Sequence, residues 1–264
     1  MKRTACVVLA GLACSQALAV GRLADVSLID RDSGETLQAH YHRGEYWVAG
    51  RPGAHYAIQI ASRSGVRLLA VTSVDGINII SGETAGFGQR GYVFDPWTAY
   101  DIAGWRKSDS QIAAFTFTSI PKSYAARTGR PDNVGVIGVA LFRERAAEPA
   151  FVPPVAPAPP LARRETASAA GEAARSAADS GALSSQSRRE RPAPAPSLGT
   201  GHGRREYSQV RNVTFERDAD QPNELIRIRY DSHENLVAMG VIKPAPHRPQ
   251  AFPNDQRLGY VPDP

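Results

Sequence analysis

Between residues 22 and 145, short apolar runs alternate with Gly, Asp, Asn and Ser. The runs that read as strands are 24–29, 36–42, 46–48, 56–61, 66–74, 76–80, 91–94, 99–104, 111–118 and 134–142. Tyr56-Ala57-Ile58-Gln59-Ile60 and the stretch 112–117 repeat with period two, which puts alternate side chains on one face of a strand. Val134-Gly135-Val136-Ile137-Gly138-Val139 lacks polar alternation and predicts a strand buried on both faces. No stretch here keeps a 3.6-residue period over three turns. Many short strands, spaced by roughly 8–12 residues, predict an antiparallel β-sandwich (or a barrel-like closure of one) over residues 20–145.

The pattern breaks after Arg145. Residues 146–206 are dominated by Ala, Pro, Ser, Arg and Glu, and predict a disordered linker, because such a segment buries too little apolar surface to offset the entropy of ordering. Its proline runs favour extended polyproline II spacers. Gly199-Thr200-Gly201-His202-Gly203 reads as a flexible entry into the C-terminal part of the chain. Runs at 210–216, 224–230 and 236–242 then predict three strands, a small β unit over 207–242. Within it, Ile226-Arg227-Ile228-Arg229-Tyr230 alternates apolar and basic residues, one face in and one face wet. A unit this short stands alone poorly, so docking on the first domain or on a partner is expected. Residues 243–264 carry six prolines and predict an extended tail.

The N-terminus changes the setting. Lys2 and Arg3 precede the apolar run 5–13, and Ala17-Leu18-Ala19 fits a small-x-small cleavage site. Charge, apolar run and cleavage site in that order predict a secretory signal peptide over 1–19 and a periplasmic or extracellular mature chain. Lipidation at Cys14 would need a branched apolar residue three positions earlier, where Gly11 stands. Cys6 and Cys14 are the only cysteines and both precede the cut, which excludes a disulfide scaffold, a thiol enzyme and a cysteine-ligated metal for the mature chain. Without Lys2 and Arg3 the 31 cationic residues become 29 against 26 acidic ones, and the net charge falls from +5 to +3. So even a balance argues against a nucleic-acid partner. No later apolar run reaches the roughly 18 residues of a membrane helix, so no transmembrane segment is expected.

Candidate chemistry is sparse. Gly86-Phe87-Gly88-Gln89-Arg90-Gly91 matches the dinucleotide-binding spacing, but a strand and Pro96 come after it where a helix would be needed, so it predicts a glycine-rich hairpin loop. His40 and His42 share one face of a strand and could reach one zinc or copper ion, with Glu45 or His55 as a third ligand. Glu83 and Asp95 offer a carboxylate pair for a hydrolase with loop-borne residues. Trp97 follows Pro96 in a loop, close in sequence to Arg90. Together they form a candidate binding surface, since Trp and Arg are frequent interface anchors.

The stretches Asp75-Gly76-Ile77-Asn78-Ile79-Ile80-Ser81-Gly82-Glu83-Thr84, Ser123-Tyr124-Ala125-Ala126-Arg127-Thr128-Gly129-Arg130-Pro131 and Ile228-Arg229-Tyr230-Asp231-Ser232 resemble hypothetical exported proteins of proteobacteria. The resemblance implies an envelope or exported setting and carries over no functional residue. The sequence thus reads as an exported, non-enzymatic binding or structural protein of the bacterial cell envelope, its partner an envelope protein or polymer. A periplasmic metal-binding protein and a hydrolase stand as alternatives.

Overall fold

A computed structural model of the chain describes residues 19–146 and 197–244. The expected signal segment before Ala19, both cysteines, linker residues 147–196 and tail residues 245–264 lie outside the described residues.

Two seven-stranded sheets pack face to face. The first contains β1 (Ala24–Asp30), β2 (Thr36–Leu37), β5 (His55–Ser62), β9 (Ala99–Ile102), β10 (Gly104–Ser108), β11 (Gln111–Ser119) and β13 (Leu198–Tyr207). The second contains β3 (Ala39–His42), β4 (Glu45–Gly50), β6 (Leu68–Val74), β7 (Ile77–Asn78), β8 (Tyr92–Phe94), β12 (Val136–Arg143) and β14 (Glu224–Ser232). All these strands belong to one compact unit. Two short helices, α1 (Tyr124–Arg127) and α2 (His233–Ala238), sit at strand ends. The sandwich expected from the strand pattern is therefore present, with one parallel pairing, β4 on β14, in an otherwise antiparallel arrangement.

Alternation decides which side chains meet. In β1 every second residue is buried, so Ala24, Val26 and Leu28 enter the core while Asp25, Ser27 and Ile29 are half-buried. Strand β12 runs between β6 and β14, as its apolar sequence requires, and buries Ile137, Val139 and Leu141. These residues join Ile58, Ile60, Phe115, Phe117, Ile226 and Ile228 in a single core cluster. Turn chemistry sets the register of two hairpins. Asp75 at φ +53 and Gly76 at φ +74 fill the two-residue turn between β6 and β7, and Arg43 and Gly44 do the same between β3 and β4. Both turns have the doubly positive φ that matches the twist of the flanking strands.

The C-terminal part differs from the expected separate three-stranded unit. Residues 198–207 do not continue a linker: they form β13, which pairs along nearly all of β11. The glycines there serve close packing. A Cβ at Gly199 would come within 2.7 Å of Ser123 Cβ and Val134 Cγ1, a reason for glycine inside a strand. Strand β14 alternates as expected but lies inside the second sheet, between β4 and β12. The stretch 236–242 is no strand, because α2 occupies its first half. Ser232 caps that helix by accepting from the Asn235 amide, and Gly240 at φ +75 ends it. The stretch 210–216 is also no strand. It is part of an irregular strap, 208–217, whose amides at Ser208 and Val210 donate to the carbonyls of Ser110 and Asp109, while Glu216 accepts from the Arg145 amide.

Candidate functional site

Strands β8 and β9 flank a turn at 95–98 and would ordinarily pair with each other as a hairpin. Here they part. β8 pairs with β6 in one sheet and β9 with β5 in the other. The reason lies in where their apolar residues go: Phe94 and Ile102 are both buried, each in its own sheet. Gly91 fixes the approach of β8, since a Cβ there would meet the Ala70 carbonyl oxygen at 2.4 Å. Between the parted strands lies a cleft of about 1220 Å³, walled by β8 on one side and β9–β10 on the other, with the 208–217 strap also contributing.

The cleft is cationic. Six cationic side chains line it (Arg67, Arg90, Arg106, Lys107, Arg211 and Arg217), against three carboxylates, Asp95, Asp101 and Asp109. Three of the arginines hold the walls together. Arg106 donates to the Tyr92 hydroxyl and, at 2.5 Å, to the Ser208 carbonyl, tying β10 to β8 and to the strap. Arg67 binds Glu144 at 2.5 Å and lies over the Phe215 ring. Arg217 donates to the carbonyls of Phe87 and Gln89 at 2.5 and 2.7 Å and stacks on Phe142 at 4.3 Å. It thereby pins the glycine-rich 86–91 loop, which is not the hairpin loop expected: the strands on either side of it, β7 and β8, each pair with β6 and not with each other. Burial holds the Arg217 guanidinium somewhat below its ordinary value, partly offset by Asp220, and burial raises the Tyr92 hydroxyl against the pull of Arg106. By contrast, the side chains of Arg90, Lys107 and Arg211 have no hydrogen-bond, ion-pair or ring partner among the described residues.

The sequence-predicted residues divide. Arg90 is exposed and lines the cleft. Trp97 is 70% exposed and sits at φ +60 in the turn joining the two walls, outside the lining itself. Asp95 lines the cleft beside Arg67, at 3.6 Å, while Glu83 is absent from the lining, so the cleft does not gather that carboxylate pair. His40 and His42 lie on β3, both half-buried, opposite Trp47 and Glu45. Burial, with help from nearby His233, keeps the His40 imidazole below its ordinary value. Neither expected third ligand joins them. Glu45 accepts from Arg229 at 2.7 Å, and His55 pairs with Asp32 at 3.1 Å. Among the described residues no group of three or more His, Cys, Asp or Glu is placed to hold a metal ion.

A second polar cluster escaped sequence reasoning. Asp75 is buried at the β6–β7 turn, and its carboxylate accepts from the Tyr230 hydroxyl at 2.5 Å, the Thr200 amide at 2.8 Å and the Gly135 amide at 3.0 Å. The Thr200 hydroxyl bridges Tyr230 at 2.7 Å and Tyr56 at 2.6 Å. Burial pushes the Asp75 carboxyl above its ordinary value, against the downward pull of Tyr230 and of the Thr200, Gly135 and Val136 amides. Burial and the Asp75 charge push both tyrosine hydroxyls well up. Asp75, Thr200, Tyr56 and Tyr230 are each at most 2% exposed, which leaves a substrate no access and makes the cluster a tie between strands. In sequence its one local mark is Asp75-Gly76 beside the run 66–74, a pair suited to a tight turn that says nothing of the partners Thr200, Tyr56 and Tyr230. Comparison with protein-family models, with curated proteins and with solved structures finds no match for this chain.

Proposed function

We propose that the protein is an exported, non-enzymatic binding module of the bacterial cell envelope, and that it takes a macromolecular partner at the cleft between β8 and β9. The observation that carries this reading is a set of cations without a partner among the described residues, Arg90, Lys107 and Arg211, held on a walled cleft of about 1220 Å³. Charges that have no internal partner and remain hydrated are available to a ligand at little desolvation cost. Trp97, exposed on the adjoining turn, adds rigid apolar area of the kind that anchors interfaces. The export half of the reading is supported by the order of charge, apolar run and Ala-x-Ala site at the N-terminus.

The test is affinity capture from envelope extracts with the native protein and with a Trp97→Ala, Arg90→Ala double variant. The native protein should retain a partner that the double variant loses. Equal recovery by both forms would remove these residues, and the cleft beside them, from the contact surface.

A further inference from the structure

We propose that the cleft binds an extended acidic peptide by strand addition, a partner chemistry that rests on the reading of the cleft as the binding site. The strand edges carry the first half of the argument. Among the described residues β8 pairs only with β6, and β9 only with β5, so each of these cleft walls keeps one edge without a strand partner. An unpaired edge is a row of N–H and C=O groups that another extended chain can complete. The strap does not complete them, since its backbone bonds run to the 109–110 turn and to the 143–145 segment. With three and four residues, β8 and β9 are also short enough to discourage wholesale edge-to-edge association.

Charge carries the second half. Arg90 precedes β8, Lys107 is on β10 and Arg211 is on the strap, so three cations without a partner among the described residues line the cleft from three segments. A strand presents alternate side chains to one side, so a peptide with carboxylates at every second position aims them together at such a ring while the residues between meet apolar wall. Val93 and the half-exposed ring of Tyr100 supply that wall. An acidic glycan would satisfy the cations but offer the strand edges no main-chain partner, which favours the peptide.

Isothermal titration calorimetry on the full-length protein tests the proposal with an alternating Val-Glu decapeptide as probe. Three comparisons go with it: the Val-Lys decapeptide, the Val-Glu peptide N-methylated at alternate residues, and polygalacturonate. The Val-Glu peptide should bind and the Val-Lys peptide should not. N-methylation should weaken binding by about tenfold or more, because it removes main-chain donors and keeps every charge. An Arg90→Ala, Arg211→Ala variant should lose affinity to a similar degree with an unchanged melting temperature, since neither side chain has a partner among the described residues. Equal affinity for the N-methylated peptide, or tighter binding of polygalacturonate, would overturn strand addition. So would peptide binding indifferent to Arg90 and Arg211. If neither peptide binds while the Trp97, Arg90 double variant still loses its envelope partner, this inference falls and the binding-module reading stands.

Discussion

Around Asp75 five segments converge and each polar side-chain atom has a partner, whereas in the cleft three cations have none among the described residues. The two regions obey the same electrostatics under different solvation. In the dry interior an unmatched hydrogen-bonding group costs its full desolvation, so Asp75, Thr200, Tyr56 and Tyr230 must satisfy one another. At the open cleft water solvates Arg90, Lys107 and Arg211, so pairing is optional there. The comparison separates polar groups committed to the fold from polar groups left over for a partner. It also shows how the C-terminal strands are held: Thr200 on β13 and Tyr230 on β14 reach one carboxylate supplied by the β6–β7 turn.

The largest effect should come from breaking the committed region. Asp75→Ala strands the amides of Thr200 and Gly135 and leaves the Tyr230 hydroxyl only its bond to Thr200, and should lower stability by about 3 kcal/mol or more in urea titration. A loss under about 1 kcal/mol would mean that the cluster is not what ties β13 and β14 in place. Its pH dependence has a definite sign. The folded carboxyl sits above the ordinary value of 3.8, so folding favours the protonated form. That contribution is full below the ordinary value and is lost as pH rises through the higher folded value. The parent should therefore gain stability relative to Asp75→Asn as pH is lowered through that window, and a parent that loses stability relative to Asp75→Asn on acidification would contradict the burial argument.

A smaller effect is expected at the cleft wall. Arg217→Ala removes two hydrogen bonds to the 86–91 loop and the stacking on Phe142, for about 1–2 kcal/mol. Limited proteolysis should then cut within that loop faster than in the parent. Unchanged cleavage would show that Gln89, which bridges Gly86 and Thr84, holds the loop by itself. The smallest effect belongs to Trp97. Its φ of +60 suits glycine, and its side chain is exposed, so Trp97→Gly should raise stability by about 0.5–1 kcal/mol. Destabilisation in thermal melts would instead mean that the indole packs on the turn and belongs with the committed residues.

Much of the sandwich was legible because strand patterning is local. The alternation over 56–61 and the apolar run over 134–142 correspond to β5 and β12, with bounds shifted by a residue or two. The C-terminal strands misled for identifiable reasons. Leu198–Tyr207 opens with glycines that lack the side chains pattern-reading depends on, and its partner β11 is far away in sequence. The helix α2 rests on a Ser232 cap and a Gly240 stop, short signals that the apolar Leu236 and Val237 overshadowed. At the candidate site, Arg90 and Trp97 could be named from a Gly-rich loop and a Pro-Trp turn. Lys107, Arg211 and the strap could not, since nothing in their local sequence marks them as neighbours of Arg90.

Local sequence was enough to dictate that the chain builds short strands with one buried face, because steric preference and side-chain period act over a few residues. Which sheet each strand joins was left to long-range packing. Burying Phe94 and Ile102 in different sheets outweighs pairing β8 with β9 as neighbours, and that choice opens the cleft. Packing also set the state of Asp75. Its turn lies at Asp75-Gly76, but its raised carboxyl comes from burial, which outweighs the hydrogen bonds that Tyr230 and Thr200 bring to it from distant parts of the chain.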